Sequence, residues 1–373
     1  MKGGYMGKIL RVNLSTAKIG EEDLPGDDIL RRYIGCWGLG LRFLYDLLPP
    51  GYAATDPENP LIFFTGPLTG LNLPGATNIT LATKNFDTGF TVGRSHTHGT
   101  FGMLTKAAGY DGVIITGKSD KAVYLWIHNG KAELRDAAHL WGKKDTHETE
   151  DAIKGELGNS KISVAAIGPC GENLVAGGAI MNDKNHGFCH SGVGSVMGSK
   201  KMKAIAVFGE KPIPVADPEK LAWMRKEWIE GMQHPGHLGW TWVRDQRLRK
   251  NEYRGRLREA GFCGKNFRIN QLVEFGLGWA QQKYTARPCP GCPIACPYDV
   301  EITTGPHKGY VATVSAGGEA LEGAGSILEI TEPGTIYYLT DVYDHLGIEG
   351  SMAGCTIAMA LEAYEKGLIT TRD

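Results

Sequence analysis

Residues 287–299 read Arg287-Pro288-Cys289-Pro290-Gly291-Cys292-Pro293-Ile294-Ala295-Cys296-Pro297-Tyr298-Asp299. Cys289, Cys292 and Cys296 form a C-x2-C-x3-C run, so three thiolates can converge on one soft centre, either an iron–sulfur cluster or zinc. Pro290, Pro293 and Pro297 lack a backbone N–H and fix φ, which excludes the interior of an ordinary helix. The stretch therefore reads as a loop wrapped around something. A zinc site commonly adds a second C-x2-C knuckle or paired histidines. None follows here, and the run leans toward a cluster whose fourth ligand comes from elsewhere.

Around this loop the composition is that of a globular protein. The chain has 373 residues, 42% hydrophobic and 22% charged, with a net charge of −1. That length favours two domains over one. The neutral balance argues against a nucleic-acid partner. No apolar run approaches the roughly 18–20 residues that span a bilayer, and the start, Met1 to Lys8, has no signal-peptide core. A soluble, cytoplasmic protein is expected. Eight cysteines are too few for a disulfide framework. Cys36, Cys170, Cys189 and Cys263 read as small buried hydrophobes.

The expected fold class is α+β. Residues 1–210 form a strand-rich domain, with short β-branched runs at 8–13, 61–65, 79–83, 112–116, 122–128, 132–135, 162–166 and 204–208. Asn129-Gly130 between two of them is a hairpin signal. Helices are expected at 40–48 and 146–157, the second stopped by Gly158. The order leans antiparallel rather than alternating strand and helix. Residues 210–217 read as a linker. The domain 211–373 is mainly helical and holds the cysteine loop, with helices at 218–232, 333–346 and 351–366 and an irregular loop at 234–242. Asp217 and Pro218 make a helix start, and Gly367 ends the last helix. That last helix is apolar on so much of its surface that it is expected to be buried. The final helices still lack cover for their apolar faces, so the chain reads as part of a longer polypeptide or a subunit completed by another.

Three glycine-rich turns stand out in the strand-rich domain. The first, Ser95 to Gly102, carries His96, His98, Gly99 and Gly102 and opens a helix. It reads either as a cradle for a phosphate or pterin, lined by two imidazoles, or as a tight strand–helix connection. The others are Ile167 to Asn173 and Ser191 to Lys200. None has P-loop spacing, which argues against ATP. Three such turns in one domain suggest a flat ligand laid across a sheet. Glu319 and Glu322 sit on a glycine-rich segment after the cysteine loop, where a carboxylate can serve as general base or simply face solvent. Asp344, in Asp344-His345-Leu346-Gly347-Ile348-Glu349, can accept hydrogen bonds from a ring amine.

Taken together, the chain resembles the aldehyde ferredoxin oxidoreductase family of tungsten–pterin enzymes. The resemblance rests on the opening strand from Met6, Tyr33 to Gly40, Thr65 to Gly70, Ala108 to Gly112, Ile167 to Asn173, Val196 to Lys200, Cys289 to Cys296 and Leu346 to Glu349, matched in order. It implies a two-sheet N-terminal domain that seats a tungsten bis-molybdopterin (tungstopterin) cofactor, covered by helical domains. It implies a [4Fe–4S] cluster on Cys289, Cys292 and Cys296, with the fourth cysteine beyond residue 373. It implies that Asp344, with Gly347, hydrogen-bonds a pterin and that Glu319 is the carboxylate near tungsten. A magnesium ion bridging the pterin phosphates would be held near Asn78 and His190. Gly99, Gly102, Ser191 and Gly192 complete the expected cofactor contacts, and His96 and His98 the substrate pocket.

The departures are as specific as the matches. The family often carries arginine where this chain has Trp37, Thr77 and His190, and Ser-Gly-Gly where it has Ser95 to Gly99. Phosphate anchoring is thus expected to differ, with extra imidazoles in the pocket. Glu349 replaces an aspartate, and Cys355, on a helix, is expected to pack rather than ligate. The implied activity is oxidation of an aldehyde to a carboxylic acid, with ferredoxin or an iron–sulfur partner subunit taking the electrons in a homo- or hetero-oligomer. Two alternatives stand: a tungsten subunit of a low-potential reductase of the benzoyl-CoA type, whose relatives place cysteine at the Glu319 position, and a cluster-carrying fragment without activity of its own.

Overall fold

The protein is described by a computed structural model covering residues 3–233, 281–293, 296–314 and 318–372. The loop expected at 234–242 and Cys263 lie outside the described residues. The chain divides into two compact units, one of Met1–Trp228, Cys289–Cys292 and His345–Ile348, the other of Ile229–Pro288, Pro293–Asp344 and Glu349–Asp373.

In chain order the first strands are β1 (Lys8–Asn13), β2 (Lys18–Asp23), β3 (Leu61–Thr65), β4 (Ile79–Lys84), β5 (Val92–Thr97), β6 (Gly112–Thr116), β7 (Val123–His128), β8 (Lys131–Asp136), β9 (Ser163–Ile167), β10 (Ile180–Asn182), β11 (His186–Phe188) and β12 (Met202–Phe208). The helices between and after them are α1 (Asp27–Tyr33), α2 (Cys36–Leu47), α3 (Phe101–Ala107), α4 (Thr146–Leu157), α5 (Pro169–Glu172), α6 (Val193–Ser199) and α7 (Pro218–Gln233). The strands form two six-stranded sheets, ordered β2-β1-β6-β3-β4-β5 and β11-β10-β9-β12-β7-β8. The β1–β6 and β7–β12 pairs are parallel and the rest antiparallel, as the sequence suggests.

The two-residue period of a strand explains the layering. In β3, Leu61 and Phe63 enter a core shared with Leu125, Ile127, Ile180 and Ile205 of the other sheet. Ile62 and Phe64 point the other way, under Leu30, Leu39 and Leu44 of α1 and α2. In β7, Tyr124 and Trp126 pack with Ile153 of α4. The result is helix, sheet, sheet, helix, and each large apolar side chain buried in it stabilises the fold by roughly 2 kcal/mol.

Local chemistry sets the boundaries. Asn129 (φ 47°) and Gly130 (φ 85°) make the β7–β8 hairpin, with His128 opposite Lys131. Asp145 and Glu148 form a reciprocal capping box on α4, and Gly158 ends it at φ 64°. Asp217 Oδ1 accepts the Lys220 N–H at 2.9 Å and starts α7. Helix α2 begins at Cys36, earlier than the expected 40. The early turn is possible because Gly38 lies against the Tyr33 carbonyl, with no room for a Cβ. Strands β2, β5, β10 and β11 are additions to the sequence expectation. Their residues alternate poorly, since β2 is a polar edge and β5 and β11 carry Gly, Arg and His.

The second unit is more than helices. β13 (Lys283–Ala286), β14 (Tyr298–Glu301) and β15 (Val311–Val314) form an antiparallel sheet. The cysteine loop is the connection from β13 to β14. The described helices that follow are α8 (Gly318–Ala324), α9 (Pro333–Leu346) and α10 (Gly350–Glu365). Helices α8 and α10 meet backbone to backbone through Gly323, Gly350 and Gly354. The expectation that the last helix is buried is corrected. Ile357, Met359, Leu361, Tyr364 and Cys355 are exposed, and Cys355 does not pack.

Candidate active site

In the first unit a polar cluster gathers where β4 begins, where β5 ends, and at the β10–β11 turn. Strand register sets it up: Ile79 pairs with Thr97, Thr80 with His96 and Asn182 with His186. Asp183 and Lys184 form the turn with positive φ. The Asp183 carboxylate accepts the Thr100 N–H at 2.5 Å, the Thr100 hydroxyl at 2.9 Å and the Ser163 hydroxyl at 2.8 Å. Asn182 Oδ1 accepts the Thr97 hydroxyl at 2.6 Å, and its Nδ2 donates to the His98 carbonyl at 3.0 Å. The start of α3 is thus already bound by a carboxylate of the protein itself.

Gly99 is required by this packing. Its φ is +77°, and a Cβ would lie 2.3 Å from Asp183 Oδ2 and 2.8 Å from His186 Cδ2. A Cβ on Gly102 would lie 2.8 Å from the Thr77 carbonyl. Beside these glycines, Thr77 Oγ1 and Asn78 Oδ1 are buried and, among the described residues, make no hydrogen bond of good geometry.

His96 and His98 stand together, ring centroids 5.4 Å apart and perpendicular, and His98 reaches His186 at 6.3 Å. Trp37 meets His96 edge-on at 5.3 Å, donates to the Ser95 carbonyl at 3.1 Å, and is covered by Arg94 at 4.9 Å. Burial, then His186 and His96, push His98 down to about 4. Burial, then His190 and Arg94, lower His96 too. Both imidazoles are neutral at pH 7 and can donate and accept hydrogen bonds. His190 donates its N–H to Ser95 Oγ at 3.2 Å. Ser191, at φ 71°, receives the Arg94 N–H at 3.2 Å. A Cβ on Gly192 would strike Asp87 and Phe86.

Cys289 and Cys292 join this unit. The Cys292 N–H donates to the Cys289 carbonyl at 3.1 Å, and Gly291 turns between them at φ +72°. Cys289 Sγ lies 3.4 Å from His186 Nε2. Burial pushes the Cys289 thiol up, opposed by the Gly99 N–H and by the Thr77 hydroxyl close by. Cys296 falls in the second unit, just before β14. Asp344 is buried in that unit, and Glu349 caps α10 by accepting the Ser351 and Met352 N–H groups at 3.0 and 2.7 Å. Gly347, at φ +67°, accepts the Ala179 N–H at 2.7 Å. Glu319 lies in α8, but its side chain is outside the described residues.

The other conspicuous motifs are structural. Lys200, ending the third glycine-rich turn, is buried and donates to the Pro57 and Gly117 carbonyls at 3.0 and 3.1 Å. Glu172 of the second turn pairs with buried Lys203 at 2.6 Å. Lys106 is buried against the Gly4 and Gly66 carbonyls and 3.8 Å from Asp111. Sequence reasoning missed His186, Asp183 and Arg94. The only available signal was a histidine two residues beyond an Asp-Lys turn.

Residues 9–209 match the family description "Aldehyde ferredoxin oxidoreductase, N-terminal domain", and residues 260–373 match "Aldehyde ferredoxin oxidoreductase, domains 2 & 3". A tungsten-containing aldehyde ferredoxin oxidoreductase of Thermococcus kodakarensis is 35% identical over 384 residues, 98% of this chain and 60% of the relative. The WOR-like subunit of an aliphatic sulfonate oxidoreductase of Pyrococcus furiosus is 33% identical, covering 99% of this chain and 61% of that protein. The solved active-site complex BamBC of benzoyl coenzyme A reductase with 1,5-dienoyl-CoA superposes with a TM-score of 0.86 at 26% identity, over 100% of this chain and 58% of that one. The chain spans about 60% of the length of the curated relatives it matches. Among the described residues, no helix is long and apolar enough to cross a membrane.

Proposed function

The chain belongs to the aldehyde ferredoxin oxidoreductase family, and on that premise we propose that it carries the cofactor seat of a tungsten–pterin, iron–sulfur enzyme oxidising an aldehyde to a carboxylic acid. The observation that carries this reading is the buried Asn78 Oδ1, which makes no hydrogen bond among the described residues, with Thr77 Oγ1 beside it turned to the Cys289 sulfur without a hydrogen bond of good geometry. Buried polar atoms without partners are rare in native interiors and fit a group that supplies the missing hydrogen bonds. Asn78, Gly99, Gly102, His190, Ser191 and Gly192 would hold the tungstopterin and its magnesium on the sheet side, with Asp344 and Gly347 contacting a pterin. Arg94, stacked on Trp37, supplies a cation close to His190, where the family often has arginine. Cys289, Cys292 and Cys296 would hold the [4Fe–4S] cluster, on the strength of their spacing.

When bound, the tungsten centre supplies a Lewis acid and a two-electron acceptor. The protein's own groups do the rest. His96 and His98, held neutral, hydrogen-bond the substrate carbonyl and orient it. Glu319 takes a proton as water adds. Two electrons and two protons leave for each aldehyde and water consumed; a cluster held by Cys289, Cys292 and Cys296 would supply a one-electron carrier toward a ferredoxin or iron–sulfur subunit. The likeness to the benzoyl coenzyme A reductase complex supports a second reading, in which the imidazoles hydrogen-bond and orient an aromatic thioester undergoing reduction.

Anaerobically purified protein should contain tungsten, iron and sulfide and turn over aldehydes with viologen. Zinc in place of iron would overturn the proposal. Reduction of an aromatic thioester without aldehyde oxidation would establish the second reading instead.

A further inference from the structure

We propose that His186 sets the reduction potential of the cluster by donating its Nε2–H to the sulfur of Cys289. The inference rests on the reading of Cys289 as a cluster ligand. His186 Nε2 lies 3.4 Å from Cys289 Sγ, within hydrogen-bond reach of sulfur. Neither group is loosely held. His186 is buried and paired across the β10–β11 hairpin to Asn182, whose amide is itself fixed by Thr97 and the His98 carbonyl. The His98 ring meets the His186 ring at 62° on the side of β5. The cysteine turn is closed by its own backbone bond and by Gly291, which sits against Asn72.

A ligating cysteine is a thiolate, which only accepts, so the imidazole nitrogen facing it must carry the hydrogen. The Gly99 N–H bears on the same sulfur. Adding one electron to a cluster places further negative charge on its sulfurs. A fixed N–H dipole stabilises that reduced form more than the oxidised one, and the potential rises. No bond breaks and no proton leaves the ring. The electron count is unchanged, and only the ease of the single-electron step is set.

Two polar replacements separate the hydrogen bond from packing. The amide of Gln reaches the position of Nε2, whereas that of Asn reaches only the Nδ1 edge. In anaerobically purified protein with iron and sulfide counted, EPR-monitored redox titration should give His186→Asn a more negative midpoint potential than the parent. His186→Gln should stay near the parent. A His186→Asn protein with parental iron content and an unmoved potential would overturn the inference while leaving the cluster in place. A parent protein without iron and sulfide would instead remove the cluster reading and this inference with it.

Discussion

The first unit holds two kinds of buried polar group, and they are finished differently. Around Lys106, Lys200 and Lys203, every ammonium meets backbone carbonyls or a carboxylate. Around Thr77, Asn78, His98 and Cys289, oxygens make no hydrogen bond of good geometry among the described residues and imidazoles crowd one another. The first arrangement is what an interior needs to be stable. The second gives up stability, and it does so beside a cysteine of the C-x2-C-x3-C run. Asp111 Oδ1, beside Lys106, also makes no hydrogen bond among the described residues, so what marks the site is not incomplete satisfaction alone but its coincidence with crowded imidazoles and a cysteine.

The sharpest way to break this contrast is at Lys106. Replacement by Ala strips the ammonium from the Gly4 and Gly66 carbonyls and leaves the buried Asp111 carboxylate, still held by the Met6 and Gly7 N–H groups, without its cation, and unfolding in urea should show a loss of about 3–5 kcal/mol. A smaller effect comes from acid. The unfolded state binds a proton at His98 below about 6.5, the folded state only near 4. Stability should fall as pH drops through that window and level off below it, by about 3 kcal/mol in all. Urea titrations at pH 7.5 and 5 check this, and His98→Asn should flatten the difference.

Gly99→Ala forces a Cβ into Asp183 at positive φ, and a loss of about 2 kcal/mol is expected in thermal unfolding. The smallest change, and the most telling, is Thr77→Val. Removing a hydroxyl that makes no hydrogen bond of good geometry should leave stability within about 0.5 kcal/mol or raise it. Metal analysis of the same protein should show less tungsten. If Thr77→Val destabilised as Lys106→Ala does, the two regions would not differ in kind.

Legibility in the sequence followed the same division. Strands β1, β3 and β6 lie where β-branched runs place them, because both of their faces are covered and their composition shows it. The hairpin at Asn129-Gly130 and the ends of α4 were readable because one or two residues decide each. β5, β10 and β11 were not, because they trade apolar alternation for the residues that build the polar cluster. His96 and His98 could be singled out by eye. His186 could not, since only the pairing of two three-residue strands carries it to Cys289. The glycine-rich turns misled in one respect. Gly168, Gly171, Gly194 and Gly198 admit neighbouring backbone of this same chain rather than an open surface. The helix expected to be buried shows where an apolar pattern falls short, because it records a need for cover without naming what provides it.

The two parallel pairings have a kinetic consequence. β1, which ends at Asn13, finds its neighbour β6 only when the chain has reached Gly112, and β7, which ends at His128, waits for β12 until Met202. On a ribosome, the opening strand must therefore idle with an exposed edge until residue 116 has emerged, and the second sheet cannot close before residue 208. Closure of such distant contacts makes assembly slow and leaves its intermediates open to aggregation.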